Sequence, residues 1–157
     1  MEDIWEVLND EIPYYFSDIA EEFSFGFIKI NKIETALANN KFALLISLDR
    51  FYIVVDYVFR DEHGELIKYN CDSFLAEKYD ENDRKNLLEG KNAKEQIINE
   101  FSIARNGLKS KWNKVLNGNT DWFEDFKKSR WFSVSKLTRD EVKSLDGIII
   151  DWMRDDH

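Results

Sequence analysis

A chain of 157 residues is long enough for one domain that buries about two thirds of its unfolded surface without disulfide staples. Its 43% apolar content includes 12 Phe, 6 Tyr and 5 Trp. With 31 acids against 22 bases the net charge is −9, which argues against a general nucleic-acid binder, because phosphate binding depends on cations that displace counterions.

Taken in chain order, Ile4, Leu8 and Ile12 recur at four-residue spacing and predict one face of a helix. The only proline, Pro13, stands where a second helix begins, with Tyr15, Phe16, Ile19 and Phe23 on its apolar side. Residues 25–33 read equally as strand or helix. Phe42, Leu44, Ile46 and Leu48 alternate as a strand does, and Phe51, Ile53, Val55, Tyr57 and Phe59 alternate on the opposite parity. The flip at Asp49-Arg50 calls for a tight turn or a bulge. Asp61-Glu62-His63-Gly64 is turn-like, and Glu65 to Cys71 returns as a third strand.

Further on, Ile97, Phe101, Ala104, Leu108, Trp112 and Val115 sustain a helical face that Asn117-Gly118 ends, with Gly107 a candidate break inside it. Thr120 can cap a short helix carrying Trp122, Phe123 and Phe126. Thr138 and Glu141 have capping-box spacing, so another helix is expected from Arg139. Ile148-Ile149-Ile150 with Trp152 is too short to assign. The expected fold class is α+β, an antiparallel sheet of about three or more strands over 42–70 packed against N-terminal and C-terminal helices. No linker or repeat divides the chain, and one domain over 1–157 is expected.

Charge is spread unevenly. The first 28 residues hold eight acids and no base, whereas residues 84–117 hold eight bases and three acids. A docking surface for a basic partner, a solvated face, and internal neutralisation of the acidic segment by the basic one are the three readings of that asymmetry.

Motifs for chemistry are sparse. No glycine-rich phosphate loop and no Gly-x-Ser-x-Gly elbow occurs. The single cysteine excludes an internal disulfide or a multi-cysteine zinc site. Cys71 and the nearest histidine, His63, flank the third strand, roughly 25 Å apart in an extended chain and too far for proton transfer. No catalytic residue, metal site or cofactor is therefore assigned. Asp49 and Asp56 interrupt apolar strands. Asp56 is an ordinary outward residue if its face is solvated; if buried it needs a partner such as Arg50 or Arg60, or its pKa rises. Asp121, Glu124 and Asp125 read most simply as a cap and dipole set. Lysines and arginines interleave with aromatics from Lys109 to Phe132, a pattern that can stack bases, although Trp112, Trp122 and Phe126 keep core spacing.

The acidic opening from Glu2 to Glu22, the strand pair around Leu48-Asp49-Arg50-Phe51, and Asp121-Trp122-Phe123 together resemble a small bacterial toxin-immunity protein of the antitoxin type. What the resemblance implies is a non-enzymatic inhibitor that occludes a basic toxin or another basic protein. On that reading the partner meets Asp3, Glu6, Asp10, Glu21 and Glu22, with Trp5 or Tyr14 as the apolar anchor. The alternative is a small-ligand-binding protein or hydrolase with a pocket between sheet and helices, with Asp56 or Asp49 as its polar group; a homodimer is a third organisation. The opening residues carry neither the positive start nor the apolar run of a secretory signal, so a cytoplasmic protein without a membrane segment is expected.

Overall fold

The computed structural model describes residues 3–153. Among them, six strands form one antiparallel sheet in sequence order: β1 (Gly26–Asn31), β2 (Glu34–Ala38), β3 (Phe42–Asp49), β4 (Tyr52–Arg60), β5 (Leu66–Tyr69) and β6 (Val134–Ser135). The α+β architecture agrees with the expectation, but the sheet is wider. Strand β2 is Glu-Thr-Ala-Leu-Ala, whose small residues carry little strand preference, so only its pairing between β1 and β3 makes it a strand. Residues 26–31 resolve to strand, with Phe27, Ile28 and Ile30 favouring it and β2 as the pairing partner.

The parity flip is a hairpin turn. Asp49 pairs with Tyr52, and Arg50 takes the left-handed conformation at φ 57° that such a short connection needs.

One face of the sheet carries the main core. Phe42, Leu44, Ile46, Val55, Tyr57 and Phe59 point there, and α1 (Ile4–Asp10), α2 (Ile12–Tyr15), α3 (Ser17–Phe23), α4 (Asp72–Ala76), α5 (Ala93–Lys111), α6 (Asn113–Leu116) and α7 (Trp122–Lys128) supply its other wall. Tyr57 stacks on Phe42 at 5.1 Å and meets the rings of Trp122 and Phe123 edge-on at 5.0 and 5.6 Å. The tryptophan spacing that also suits base stacking is thus core packing, with Trp112, Trp122 and Phe126 all buried.

The expected second helix is two short ones, broken at Phe16, whose φ and ψ of −112° and 16° lie outside the helical range. The Gly107 break does not occur. Helix α5 runs through it unbroken, and Gly107 instead makes room for the Tyr79 ring, which a β-carbon would meet at 2.3 Å.

The opposite face is smaller. Ile30, Ala36, Ala43, Leu45 and Val58 pack there beneath Leu145 of α8 (Arg139–Leu145) and Ile149. The last apolar group is neither strand nor helix. Its amides at Ile150 and Asp151 donate to the Asn40 carbonyl, and Trp152 forms an isolated bridge with Arg60. No helix of the described residues is long and apolar enough to cross a membrane.

Candidate functional site

The acidic N-terminal segment is partly consumed inside the molecule. Asp3 is the N-cap of α1, its carboxylate accepting the Trp5 and Glu6 amides at 3.0 and 3.4 Å. Trp5 is half-buried, its indole N–H donating to the Arg50 carbonyl at 2.9 Å, so it ties α1 to the β3–β4 turn. Asp10 pairs with Lys29 at 2.9 Å. Asp18 takes Arg105 and Lys109 of α5, both at 3.0 Å, and Lys109 lies 3.8 Å from Glu22. Burial pushes the Asp18 carboxyl up, but the hydrogen bonds from Lys109 and Arg105 outweigh it and hold the group below its ordinary value. Internal neutralisation between the acidic and basic segments is therefore real at Asp18 and Glu22. Glu6, Glu11 and Glu21 enter no ion pair among the described residues, and Tyr14 is 77% exposed. The seven residues do not form one patch: Trp5 lies by the β3–β4 turn, Tyr14 by α5, and Glu21 and Glu22 near the end of α3.

Asp56 is buried rather than outward, at 6% exposure, and neither Arg50 nor Arg60 is its partner. Arg60 is spent on the Ile149 and Gly64 carbonyls and on Asp146. Among the described residues the charged neighbour of Asp56 is Lys68 at 4.0 Å, and Asp56 Oδ1 has no hydrogen bond. Asp49, at the other end of the pair, is exposed at the turn.

Asp56 belongs to a polar cluster under α8 that sequence reasoning missed. The Ser47 hydroxyl donates to Glu34 Oε2 at 2.7 Å, and Lys68 Nζ donates to both oxygens of Glu141 at 3.1 and 2.9 Å. Burial and a hydrogen bond shared with Glu141 push Glu34 up to about 7. Burial likewise pushes Asp56 to about 6, against the pull of Lys68. For Glu141 burial acts upward too, but the hydrogen bonds from Glu34, the Thr138 amide and Lys68 more than offset it, leaving the group below its ordinary value. The cluster has little access to solvent, and no group of three or more His, Cys, Asp or Glu among the described residues is arranged to hold a metal ion.

A second missed feature is open to solvent. Between β4 and α5 lies a cleft of about 130 Å³ with an apolar floor that includes Val55 and Ala104 and a polar rim of Asp72, Tyr79, Arg84 and Glu100. Burial pushes both carboxyls upward, and the Asp72 charge pushes Glu100 further. These residues come from separate elements far apart in sequence, so no local motif announces them.

The other sequence candidates are structural. Cys71 is fully buried, its thiol against the Val55 carbonyl at 3.8 Å and its acidity suppressed by burial. His63 stands exposed beside Glu62. Asp121 precedes α7 but makes no side-chain cap. Lys111 is held by Asp80 and Asp83, and Arg130 lies over the Trp131 ring, whose N–H donates to Glu77.

Three comparisons with known proteins complete the picture: no protein-family model, no curated protein and no solved structure matches this chain.

Proposed function

We propose that this chain is a non-enzymatic binding protein of the immunity type, which neutralises a basic protein partner by covering part of its surface. The observation that supports the reading is an aromatic side chain, Tyr14, that is 77% exposed on an N-terminal helical segment whose Glu6, Glu11 and Glu21 stay outside the internal ion pairs. Exposed aromatics are frequent energetic anchors, and an excess of one sign of charge on the same segment speeds encounter with the opposite sign even where it forms no single patch. Asp3, Asp10, Glu22 and Trp5 keep structural contacts of their own, so the binding role falls mainly on Glu6, Tyr14 and Glu21.

The test is affinity capture of a basic partner at low ionic strength, followed by binding kinetics with Glu6 and Glu21 changed to lysine. Association is expected to slow by about tenfold or more at low salt. Unchanged affinity with unchanged salt dependence rejects the assignment.

The cleft between β4 and α5 favours a second reading, a small-ligand-binding protein, because its apolar floor and convergent polar rim are the usual makings of a ligand site. Its polar groups are Asp72 and Glu100 rather than Asp56 or Asp49.

A further inference from the structure

Strand β4 spans Tyr52–Arg60, yet β5 pairs only with Tyr57–Arg60, so the first half of β4 has an open edge facing α4 and α5. Edge amides there need partners. The Val55 N–H donates to Asp72 Oδ1 at 2.8 Å, and the Ile53 amide stabilises the Glu100 carboxylate. This edge capping explains why two carboxylates lie in one cleft, but it uses only part of what they offer, since a carboxylate accepts about four hydrogen bonds.

The remainder has no partner. No Lys or Arg lies within ion-pair distance of Asp72 or Glu100 among the described residues. Arg84, at the mouth, donates to the Asp80 carbonyl at 3.3 Å; it makes no ion pair among the described residues, but its charge favours the ionised form of Glu100. Tyr79 lines the same cleft, and its hydroxyl makes no hydrogen bond among the described residues. Two carboxylates and one guanidinium leave the rim one negative charge in excess. Asp72, Glu100 and Tyr79 line one cleft and carry oxygen acceptors, as many side chains as an ammonium has N–H bonds.

We propose that the cleft is a socket for a primary ammonium group on a short aliphatic stem, the ammonium held by Asp72, Glu100 and the Tyr79 oxygen and the stem lying on Ile53, Val55 and Ala104. The proposal rests on the ligand-binding reading of the cleft. A volume of about 130 Å³ is small and suits a short stem rather than a ring system. A free alkylamine and the lysine side chain of a protein share this chemistry.

The experiment is an amide-resolved NMR titration of the full chain with n-butylammonium, with Nα-acetyl-lysine amide, and with n-butyrate as the control of opposite charge. The ammonium is expected to move the amides of Ile53, Val55 and Glu100 to Ala104 saturably at millimolar concentration, and butyrate is not. Binding by both amines identifies a lysine side chain as an accepted source, and binding by butylammonium alone identifies a free amine. Glu100→Gln, which keeps the shape, and Asp72→Asn, which keeps an acceptor for Val55, are each expected to weaken binding about fivefold or more. No saturable shift below about 50 mM, or undiminished binding in Glu100→Gln, overturns the proposal. A panel of neutral and anionic fragments separates the two levels. If one of them moves the cleft amides where butylammonium does not, the ligand class is wrong and the ligand-site reading stands; if none does, both fall.

Discussion

Glu141 of α8 and Lys68 of β5 are joined through both carboxylate oxygens, at 3.1 and 2.9 Å, across the face of the sheet opposite the main core. The pair is buried, with the Lys68 side chain 12% exposed and that of Glu141 2%. Lys68 is also the only cation within 4.0 Å of Asp56 among the described residues. Replacing it by methionine keeps the stem and removes the charge, leaving Glu141 and Asp56 without compensation. The expected loss is about 3–5 kcal/mol at pH 8, as for other buried pairs broken on one side. It should shrink at pH 5, where the carboxyls can take up protons instead. Urea unfolding at the two pH values measures this, and a loss below about 1 kcal/mol at both speaks against the linkage.

The same cluster sets the sign of a pH dependence. Glu34 titrates at about 7 in the folded chain against an ordinary 4.5, so the folded state keeps a proton that the unfolded state releases between those values. The stability this contributes is complete below pH 4.5 and is lost as the pH rises through 7. Asp56 acts in the same sense between 3.8 and about 6. Glu141 lies below its ordinary 4.5, so its contribution is present above that value and fades only in stronger acid. From pH 5 to 7 the first two dominate, and stability is expected to fall by on the order of 2 kcal/mol. Glu34→Gln, uncharged at every pH, should flatten that slope and match or exceed the parent's stability at pH 8. An unaltered slope in the variant would falsify the role of Glu34.

Helix α8 is only seven residues long and starts with a complete capping box. The Glu141 amide donates to Thr138 Oγ1 at 3.2 Å, and the Thr138 amide donates back to Glu141 Oε1 at 2.9 Å. One carboxylate thus caps the helix and takes the Lys68 ion pair. Thr138→Ala is expected to cost about 1 kcal/mol. Hydrogen exchange locates the effect: protection should drop first within Arg139–Leu145 while the amides of β3 and β4 keep theirs. Equal loss across the sheet would mean that α8 unfolds only with the whole domain.

What the sequence disclosed follows from how local each signal is. The capping box at Thr138, the parity flip at Asp49-Arg50 and the four-residue spacing through Phe101 and Leu108 lie within a few residues of what they specify, and each corresponds to an observed element. Strand β2 escaped because its Ala-Leu-Ala carries almost no preference of its own, and β6 because it is two residues long. The site residues escaped for a different reason. Glu34, Asp56, Lys68 and Glu141 come from three strands and a helix, and Asp72 and Glu100 from two helices. Only the folded topology brings them together. Asp56 itself was singled out from its apolar neighbours, but whether its face met water depended on α8, which lies more than 80 residues further along the chain.

Gly107 offers a test in which two opposing effects decide a sign. In the interior of α5, alanine is favoured over glycine by about 1 kcal/mol through helix propensity alone. A β-carbon there would lie 2.3 Å from two atoms of the Tyr79 ring, far inside contact distance. Tyr79 does not yield freely, because it is half-buried and forms part of the cleft with Asp72 and Glu100. Overpacking of this kind costs about 1–3 kcal/mol, so Gly107→Ala is expected to destabilise the protein despite the better helix former. With Tyr79→Ala in the background the clash is gone and the same substitution should stabilise by the propensity term. A double-mutant cycle by urea unfolding reads the reversal directly. If Gly107→Ala stabilises with Tyr79 in place, the ring moves aside at little cost and the wall of the cleft is soft. If it destabilises, the Tyr79 ring is held firmly and the wall of the cleft is rigid.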